Sequence, residues 1–231
     1  MKQQKKNALI SPYPFLDALE ANNDRAWFAE HRDEYDTLRA QWISQIQLLI
    51  DTMASTYAPE LAGVEAKSCL YRIYRDIRFS NDKSPFKTYF SALVSPRGRH
   101  FDGACYYIHL GGGNFAENGL YGGVWHPESA VLRKLRKAIV DNSEEFHEII
   151  DNPELKRLFP GWYGERLKTI PKGYDKNHPE AELLKLKEYG RYHHCDRAFF
   201  EDPEWPVRAA RILAVLKPLN NFLNYSINEE E

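Results

Sequence analysis

The spacing of apolar side chains changes twice along this chain, and that change most constrains its fold. In the first third, large side chains recur at steps of three and four, which is the spacing of one helical face. The stripe consists of Trp27, His31, Tyr35, Leu38, Trp42, Ile46, Leu49 and Met53. Asn22 or Asn23 can cap this helix, and Pro59 ends it. A short helix is predicted before it, near residues 15–19.

From Lys67 to about Trp125 the helical spacing disappears. β-Branched and aromatic residues dominate this part, and Gly and Pro interrupt it at intervals, which is typical of strands and turns. The predicted strands are residues 68–79, 87–95, 104–111 and 119–125. Because the joints between them are short, we expect an antiparallel meander of about four to six strands.

Helical spacing returns after the "HPES" segment, where Pro127 suits the first position of a helix. Further helices are predicted to start near Pro153 and Pro203, and another strand near 185–189. The order of elements predicts one α+β domain over residues 1–231. Its parts are a helical region (1–60), an antiparallel sheet (67–126) and a mainly helical region (127–231).

The stretch "RIYRDIRFSNDKSPFKTYF", residues 72–90, is unusual because it places charges among strand-forming residues. In a strand, one face would carry Tyr71, Ile73, Arg75, Ile77 and Phe79, and the other Arg72, Tyr74, Asp76, Arg78 and Ser80. Arg75 would then be buried among apolar neighbours and need a carboxylate partner, for which Asp82 is a candidate. Breaking such a buried pair costs about 3–5 kcal/mol.

The same stretch has five cations against two acids, and arginine suits bidentate contact with phosphate or carboxylate. The sequence predicts a binding site for a small anionic ligand, formed by Arg72, Arg75, Arg78, Lys83 and Lys87 with Tyr74, Tyr107 and Tyr121. If the protein is an enzyme, the available acid–base groups are Asp76, Asp82 and His109. An internal Arg–Asp network that fixes the register of the sheet is the structural alternative.

The spacing RxxRDxRFxxDK, from Arg72 to Lys83, resembles the signature of an uncharacterised family of bacteria and some fungi. The blocks "NNDRAWF" (22–28), "GGVWHP" (122–127) and "IPKGYDKNHP" (170–179) also resemble that family, so the likeness covers nearly the whole chain. The resemblance implies a shared fold and a shared site but no activity. Phe86 departs from the tyrosine that the family usually has there, so no phenol acts at this position.

Net charge and motifs argue against several classes of function. The formal net charge is −2, so nothing global draws the chain to nucleic acid or an anionic membrane. The three cysteines are far apart, which argues against a disulfide framework and for a reducing cytoplasm. No apolar run is long enough to cross a membrane. No dinucleotide, phosphate-loop or zinc motif occurs, so we expect neither a cofactor nor a metal.

A second polar cluster contains Lys172, Tyr174 and His178. It is either a turn that caps a helix at Pro179 or a wall facing the basic sheet. The leading hypothesis for the whole chain is a small-anion-binding protein. The alternatives are an interaction or scaffold domain with a structural ion-pair network, and a nucleic-acid binder of the sheet-based kind. The sequence predicts no oligomeric state.

Overall fold

The computed structural model describes residues 9–113 and 117–229, which contain eleven α-helices and four β-strands. The first helices are α1 (Tyr13–Ala21), α2 (Arg25–Glu30), α3 (Arg32–Thr56) and α4 (Ala66–Cys69), with a short 3₁₀ helix at Pro59–Leu61. The strands are β1 (Tyr89–Val94), β2 (Cys105–Gly111), β3 (Asn118–Val124) and β4 (Tyr189–His194). The other helices are α5 (Ser129–Asp141), α6 (Ser143–Ile150), α7 (Pro153–Leu158), α8 (Ala181–Leu184), α9 (Arg197–Glu201), α10 (Trp205–Ala214) and α11 (Lys217–Asn228).

The four strands form one antiparallel sheet in the order β1-β2-β3-β4, so the α+β class and the meander are confirmed. Strands β1, β2 and β3 match the ranges predicted at 87–95, 104–111 and 119–125, with boundaries that differ by at most two residues. Strand β4 begins only where the predicted 185–189 strand would end. The first helical position of α5 is Ser129, so the prediction for Pro127 is wrong by two residues.

The first predicted strand, residues 68–79, is wrong. Residues 66–69 form α4, and the following segment touches residues 85–92 at only two isolated antiparallel bridges, Leu70–Ala92 and Tyr74–Phe86. Phe79, which the alternation placed on the apolar face, is 94% exposed. The residue types favoured a strand, but no continuous ladder of hydrogen bonds forms.

A change of register between the two segments explains why the ladder breaks. Ile73 O accepts from Lys87 N at 2.8 Å, whereas Tyr71 N donates to Ser91 O at 3.2 Å, so the pairing shifts by two residues. Such a shift bulges one segment out of the ladder. Pro85 also lacks the N–H that a regular antiparallel pair would require of it. The segment is therefore extended and held in place without becoming part of the sheet.

The chain divides into two compact units, and the number of domains stays a prediction. The first, unit 1, comprises residues 1–99, 108–119 and 194–210. Its core contains most of the predicted helical stripe, although the helix is interrupted at His31 into α2 and α3. Helix α3 packs on β1 because Tyr35 and Trp42 place their rings 6.1 and 5.9 Å from that of Phe90. Trp205 stacks on Trp42 at 5.6 Å and closes this aromatic core.

The second, unit 2, comprises residues 100–107, 120–193 and 211–231. Helix α11 packs against α5 and α6 and is fixed to the start of β2 by side-chain amides. Asn224 accepts from Ala104 N at 2.7 Å and donates to Ala104 O at 3.0 Å. Asn220 donates to Cys105 O at 3.2 Å. These amides satisfy backbone groups that would otherwise be buried without partners.

Within the described residues, no helix combines the length and the apolar character that crossing a bilayer demands.

Candidate functional site

Arg75 is the centre of the arginine-rich segment, and its predicted partner is confirmed. Its guanidinium forms an ion pair with Asp82 and donates to Ser84 O at 3.1 Å. The Arg75 side chain is 26% exposed and that of Asp82 is 60% exposed. The pair is therefore at the surface, not in the core as the strand alternation predicted. The loop that ends at Pro85, not a strand face, brings the two groups together.

Arg78 and Lys83 are also engaged by their own segment. Arg78 binds Asp76 bidentately, with Nε 2.9 Å from Oδ1 and Nη2 2.6 Å from Oδ2. Lys83 Nζ donates to Ile77 O at 3.0 Å. Both cations are exposed. The Arg78–Asp76 contact is an Arg–Asp pair of the kind that the structural alternative describes, but the segment that carries it is not part of the sheet.

Arg72 and Lys87 differ from the other three cations of the segment. Within the described residues, neither side chain forms an ion pair or a hydrogen bond. Lys87 Nζ lies 5.3 Å from the ring centre of Tyr71 and 5.7 Å from that of Tyr89. Burial, and then the positive charge of Arg72, lower the pKa of Lys87. The segment thus divides into three satisfied cations and two unsatisfied ones.

An acid–base role for Asp76, Asp82 and His109 stays a prediction. The contacts of each group indicate its charge at neutral pH. Hydrogen bonds from Arg78 lower the pKa of Asp76 to about 2, and hydrogen bonds from Ser84 and Arg75 do the same for Asp82. Both are therefore ionised at neutral pH and poor proton donors. Burial lowers the pKa of His109 to about 4, so its imidazole is neutral at pH 7. Its ring lies 4.4 Å from that of Tyr89.

A cleft of about 470 Å³ in unit 1 brings together arginines from distant parts of the sequence. We call it the arginine cleft; it is lined by Arg25, Phe28, Ala29, Arg32, Tyr74, Arg75, Ile77, Pro85 and Phe86. No carboxylate is among these described lining residues. Arg32 pairs with Asp36 at 2.9 Å, but Asp36 and Asp82 both lie outside the lining. Arg25 has no ion pair within the described residues.

The wall of the arginine cleft is aromatic and tightly packed. Phe28 and Phe86 stack with their ring centres 4.0 Å apart, and Tyr74 lies 5.4 Å from Phe86. Asn23 fixes this wall from behind, since its side chain exchanges two hydrogen bonds with the backbone of Phe86 at 3.0 and 3.1 Å. The three arginines thus line the cleft together with a packed aromatic wall.

A second cleft of about 560 Å³, also in unit 1, shares Arg75 and Phe86 with the first. We call it the lysine cleft; it is lined by Glu20, Asn23, Arg75, Asp76, Asp82, Ser84, Phe86, Lys87, Thr88 and Tyr89. Cations and carboxylates are mixed here, so the net charge of the cleft does not attract an anion, and an anion would bind only by direct contact with Arg75 or Lys87. Arg72, Arg78 and Lys83 line neither cleft.

The remaining predicted ligand residues belong to unit 2. Tyr107 is half-buried and Tyr121 is buried. Lys172 is exposed, and Tyr174 is half-buried with its ring 6.1 Å from His178. His178 Nδ1 accepts from Glu180 N at 3.0 Å just before α8, as in the helix-cap alternative. A ligand role for these residues stays a prediction.

Unit 2 also has a cleft of about 990 Å³, which is larger than the two in unit 1. Its charged lining residues are Glu145, Glu148, Glu154 and Glu229, and no Lys or Arg is among the described ones. A cleft with this charge repels anions. The anion prediction therefore concerns unit 1.

Arg25 and Arg32 are the residues that the sequence prediction missed. They are seven positions apart, with Phe28 and Ala29 between them, which is the spacing of one helical face. Arg25 also lies in the "NNDRAWF" block that resembles the family. These two signals together could have identified it.

Among the described residues, no group of three or more His, Cys, Asp and Glu side chains could hold a metal ion.

Comparison with known proteins gives one match. A family model described as "Conserved hypothetical protein (DUF2461)" matches residues 12–222. The match runs from α1 to the first half of α11 and includes both clefts of unit 1. Neither the curated proteins nor the solved structures yield a match.

Proposed function

The chain belongs to the DUF2461 family of conserved hypothetical proteins, and from that premise we propose that unit 1 binds a small anionic ligand in its arginine cleft. The ligand class is a phosphate- or carboxylate-bearing molecule with an aromatic or apolar body. The family description names no activity, so the proposal rests on geometry. The observation that carries it is the convergence of Arg25, Arg32 and Arg75 on one cleft whose described lining has no acid.

The chemistry of the lining supports an anion with a planar body. Guanidinium groups form paired, charge-assisted hydrogen bonds to phosphate and carboxylate. Arg25 is held at the start of α2, where Asp24 caps the helix by accepting from Ala26 N and Trp27 N. The stacked wall of Phe28 and Phe86 offers a flat surface against which an aromatic ring can pack. Ligand pockets commonly combine such an apolar wall with a few convergent polar groups.

The test is calorimetric titration of the protein with phenyl phosphate, inorganic phosphate and citrate. Arg25→Gln removes a cation that has no ion pair within the described residues, so it leaves no carboxylate unpaired. A charge-assisted hydrogen bond contributes roughly 1.5–3 kcal/mol, so affinity should fall about 10- to 100-fold. Arg78→Gln is the matched control, since Arg78 is exposed and lines neither cleft. Its affinity should equal that of the wild type.

Thermal melting supplies a second measurement. A specific anion raises the melting temperature as its concentration exceeds the dissociation constant, whereas potassium chloride controls for ionic strength. The proposal fails if no anion exceeds that control, or if Arg25→Gln binds as tightly as the wild type. Failure would favour the scaffold alternative, which the Arg75–Asp82 and Arg78–Asp76 pairs support.

A cytoplasmic location is part of the same proposal and is supported by three free cysteines.

A further inference from the structure

Lys87 occupies a fixed position in the lysine cleft. Its backbone N–H donates to Ile73 O at 2.8 Å, and the carbonyl of the next residue, Thr88, accepts from Gly112 N at 2.9 Å. The backbone is therefore held on both sides of the Lys87 side chain. The side chain is half-buried, and its ammonium lies between the rings of Tyr71 and Tyr89. Lys87 thus lines the cleft from a fixed point of the backbone.

The charges around Lys87 leave it without a counter-ion. The two carboxylates of the cleft that lie in the same segment, Asp76 and Asp82, are occupied by Arg78 and Arg75. Glu20 is the third acid of the cleft, and it forms no ion pair with Lys87 in the described part of the chain. Arg72, in contrast, is close enough for its charge to disfavour the ammonium form.

A lysine that is partly removed from water and lies near another cation is how proteins obtain a nucleophilic amine at neutral pH. The rings of Tyr71 and Tyr89 act in the opposite direction and favour the ammonium form, because the faces of aromatic rings attract a cation. Burial is the main cause that lowers the pKa of Lys87, and the positive charge of Arg72 acts in the same direction. The lysine cleft also offers room for a small molecule beside the amine.

We propose that Lys87 is a nucleophilic amine that forms a Schiff base with a small aldehyde or ketone entering the lysine cleft. The lone pair of the neutral amine forms a C–N bond to the carbonyl carbon as the C=O π electrons move to oxygen. Proton transfer from nitrogen to oxygen gives a carbinolamine. The C–O bond then breaks, and the departing hydroxyl takes the second N–H proton, which gives one water and the neutral imine. One carbonyl compound and one amine give one imine and one water, with no redox change.

Arg75 defines the class of carbonyl compound that fits this site. It lines the lysine cleft together with Lys87, and its guanidinium, which pairs with Asp82 through Nη1 alone, keeps donors for a carboxylate or phosphate on the incoming molecule. An α-oxo acid such as glyoxylate has a carboxylate next to the carbonyl carbon. The inference does not depend on the arginine cleft, because an uncharged aldehyde tests the amine alone.

Reductive trapping tests the proposal. The full chain is treated with acetaldehyde or glyoxylate at pH 7 in the presence of cyanoborohydride, which converts an imine into a stable secondary amine. Peptide mass spectrometry then gives the labelling rate of each lysine. Lys87 should be labelled several times faster than Lys83, an exposed lysine in the same segment. Glyoxylate should increase this preference over acetaldehyde.

Variants localise the reaction. Lys87→Arg keeps the positive charge but should lose the fast labelling, whereas Lys83→Arg should retain it. Arg72→Gln should slow the labelling of Lys87, because removing the neighbouring charge restores the ammonium form. Equal labelling of Lys87 and Lys83 in the wild type would overturn the proposal, and this comparison requires no variant to fold. Fast labelling by acetaldehyde without anion binding in calorimetry would reject the arginine-cleft proposal while supporting this one.

Discussion

His147 Nε2 lies 3.0 Å from Glu180 Oε2, and this contact joins α6 to the turn before α8 in unit 2. Glu180 is buried, whereas His147 is 42% exposed. Ser143 Oγ donates to the same carboxylate at 2.6 Å. The imidazole also lies 3.3 Å from Asp151. A histidine between two acids makes stability depend on pH.

The pair should stabilise unit 2 most strongly in mildly acidic solution. The hydrogen bond to Glu180 raises the pKa of His147, so its contribution is complete below the ordinary histidine pKa and is lost as pH rises through the raised value. We expect His147→Gln to cost about 0.2–1 kcal/mol near pH 6, since partly exposed pairs contribute little. The cost should shrink toward pH 8.5. Urea unfolding at several pH values measures it, and a cost independent of pH would contradict this assignment.

In more acidic solution, protonation of Glu180 ends the pH range over which the His147–Glu180 pair stabilises unit 2. Burial acts to raise the pKa of Glu180, but the hydrogen bonds from Ser143 and His147 outweigh burial and lower it. Its contribution is therefore present above the ordinary glutamate pKa and is lost as pH falls through the lowered value. Ser143→Ala should make unfolding begin at a higher pH in an acid titration followed by circular dichroism. An unchanged acid midpoint would refute this.

Breaking the Arg75–Asp82 pair should cost less than the sequence predicted. Breaking a buried pair costs about 3–5 kcal/mol, but this pair is open to water and its strength is screened. Arg75→Met should therefore lower the urea midpoint only slightly, and 1 M salt should reduce the difference further. Glu165, paired with Lys187 at the surface of unit 2, offers a control variant, Glu165→Gln. A loss of about 3–5 kcal/mol in the free energy of unfolding, the cost of breaking a buried pair, would contradict the surface location.

Gly123 should tolerate alanine far less well than Gly161. Both have positive φ values, 127° and 75°, so both substitutions carry the strain of that backbone region. A Cβ at Gly123 would lie 2.1 Å from Tyr189 O, whereas a Cβ at Gly161 meets nothing within 4 Å. The contact is to the backbone of the neighbouring strand, which cannot turn aside. Thermal melting should show a larger loss for Gly123→Ala, and equal losses would exclude close approach as the cause.

Removing the hydroxyl of Tyr121 should leave stability unchanged or raise it. That hydroxyl is buried and has no hydrogen-bond partner among the described residues. Tyr189→Phe is the matched control, because its hydroxyl donates to Leu183 O at 3.0 Å. Deleting that donor removes one hydrogen bond, at a cost of about 0.5–1.5 kcal/mol, while Leu183 O still accepts from Leu186 N at 3.1 Å. Urea unfolding of both variants measures the change in stability. A destabilised Tyr121→Phe would contradict the prediction, because it would mean that the Tyr121 hydroxyl has a hydrogen-bond partner.

Local pattern predicted much of the fold because the responsible forces act between near neighbours in sequence. The stripe from Tyr35 to Met53 is buried on α3, as its spacing indicated. Strands β1, β2 and β3 occur where β-branched and aromatic residues and short joints predicted them. The same reasoning failed at 68–79, because strand-forming residues cannot pair where Pro85 lacks an N–H and the register shifts.

The sequence by itself determined that cations concentrate between Arg72 and Lys87 and that Asp82 can pair with Arg75. Only the tertiary structure decided which cations share a cleft. Arg25 and Arg32 meet Arg75 because Phe28 of α2 stacks on Phe86, a contact between residues distant in the chain. Spacing along the chain fixes which side chains share a face of one helix or strand. Which faces meet depends on how all the apolar surfaces pack together, and no local pattern encodes that.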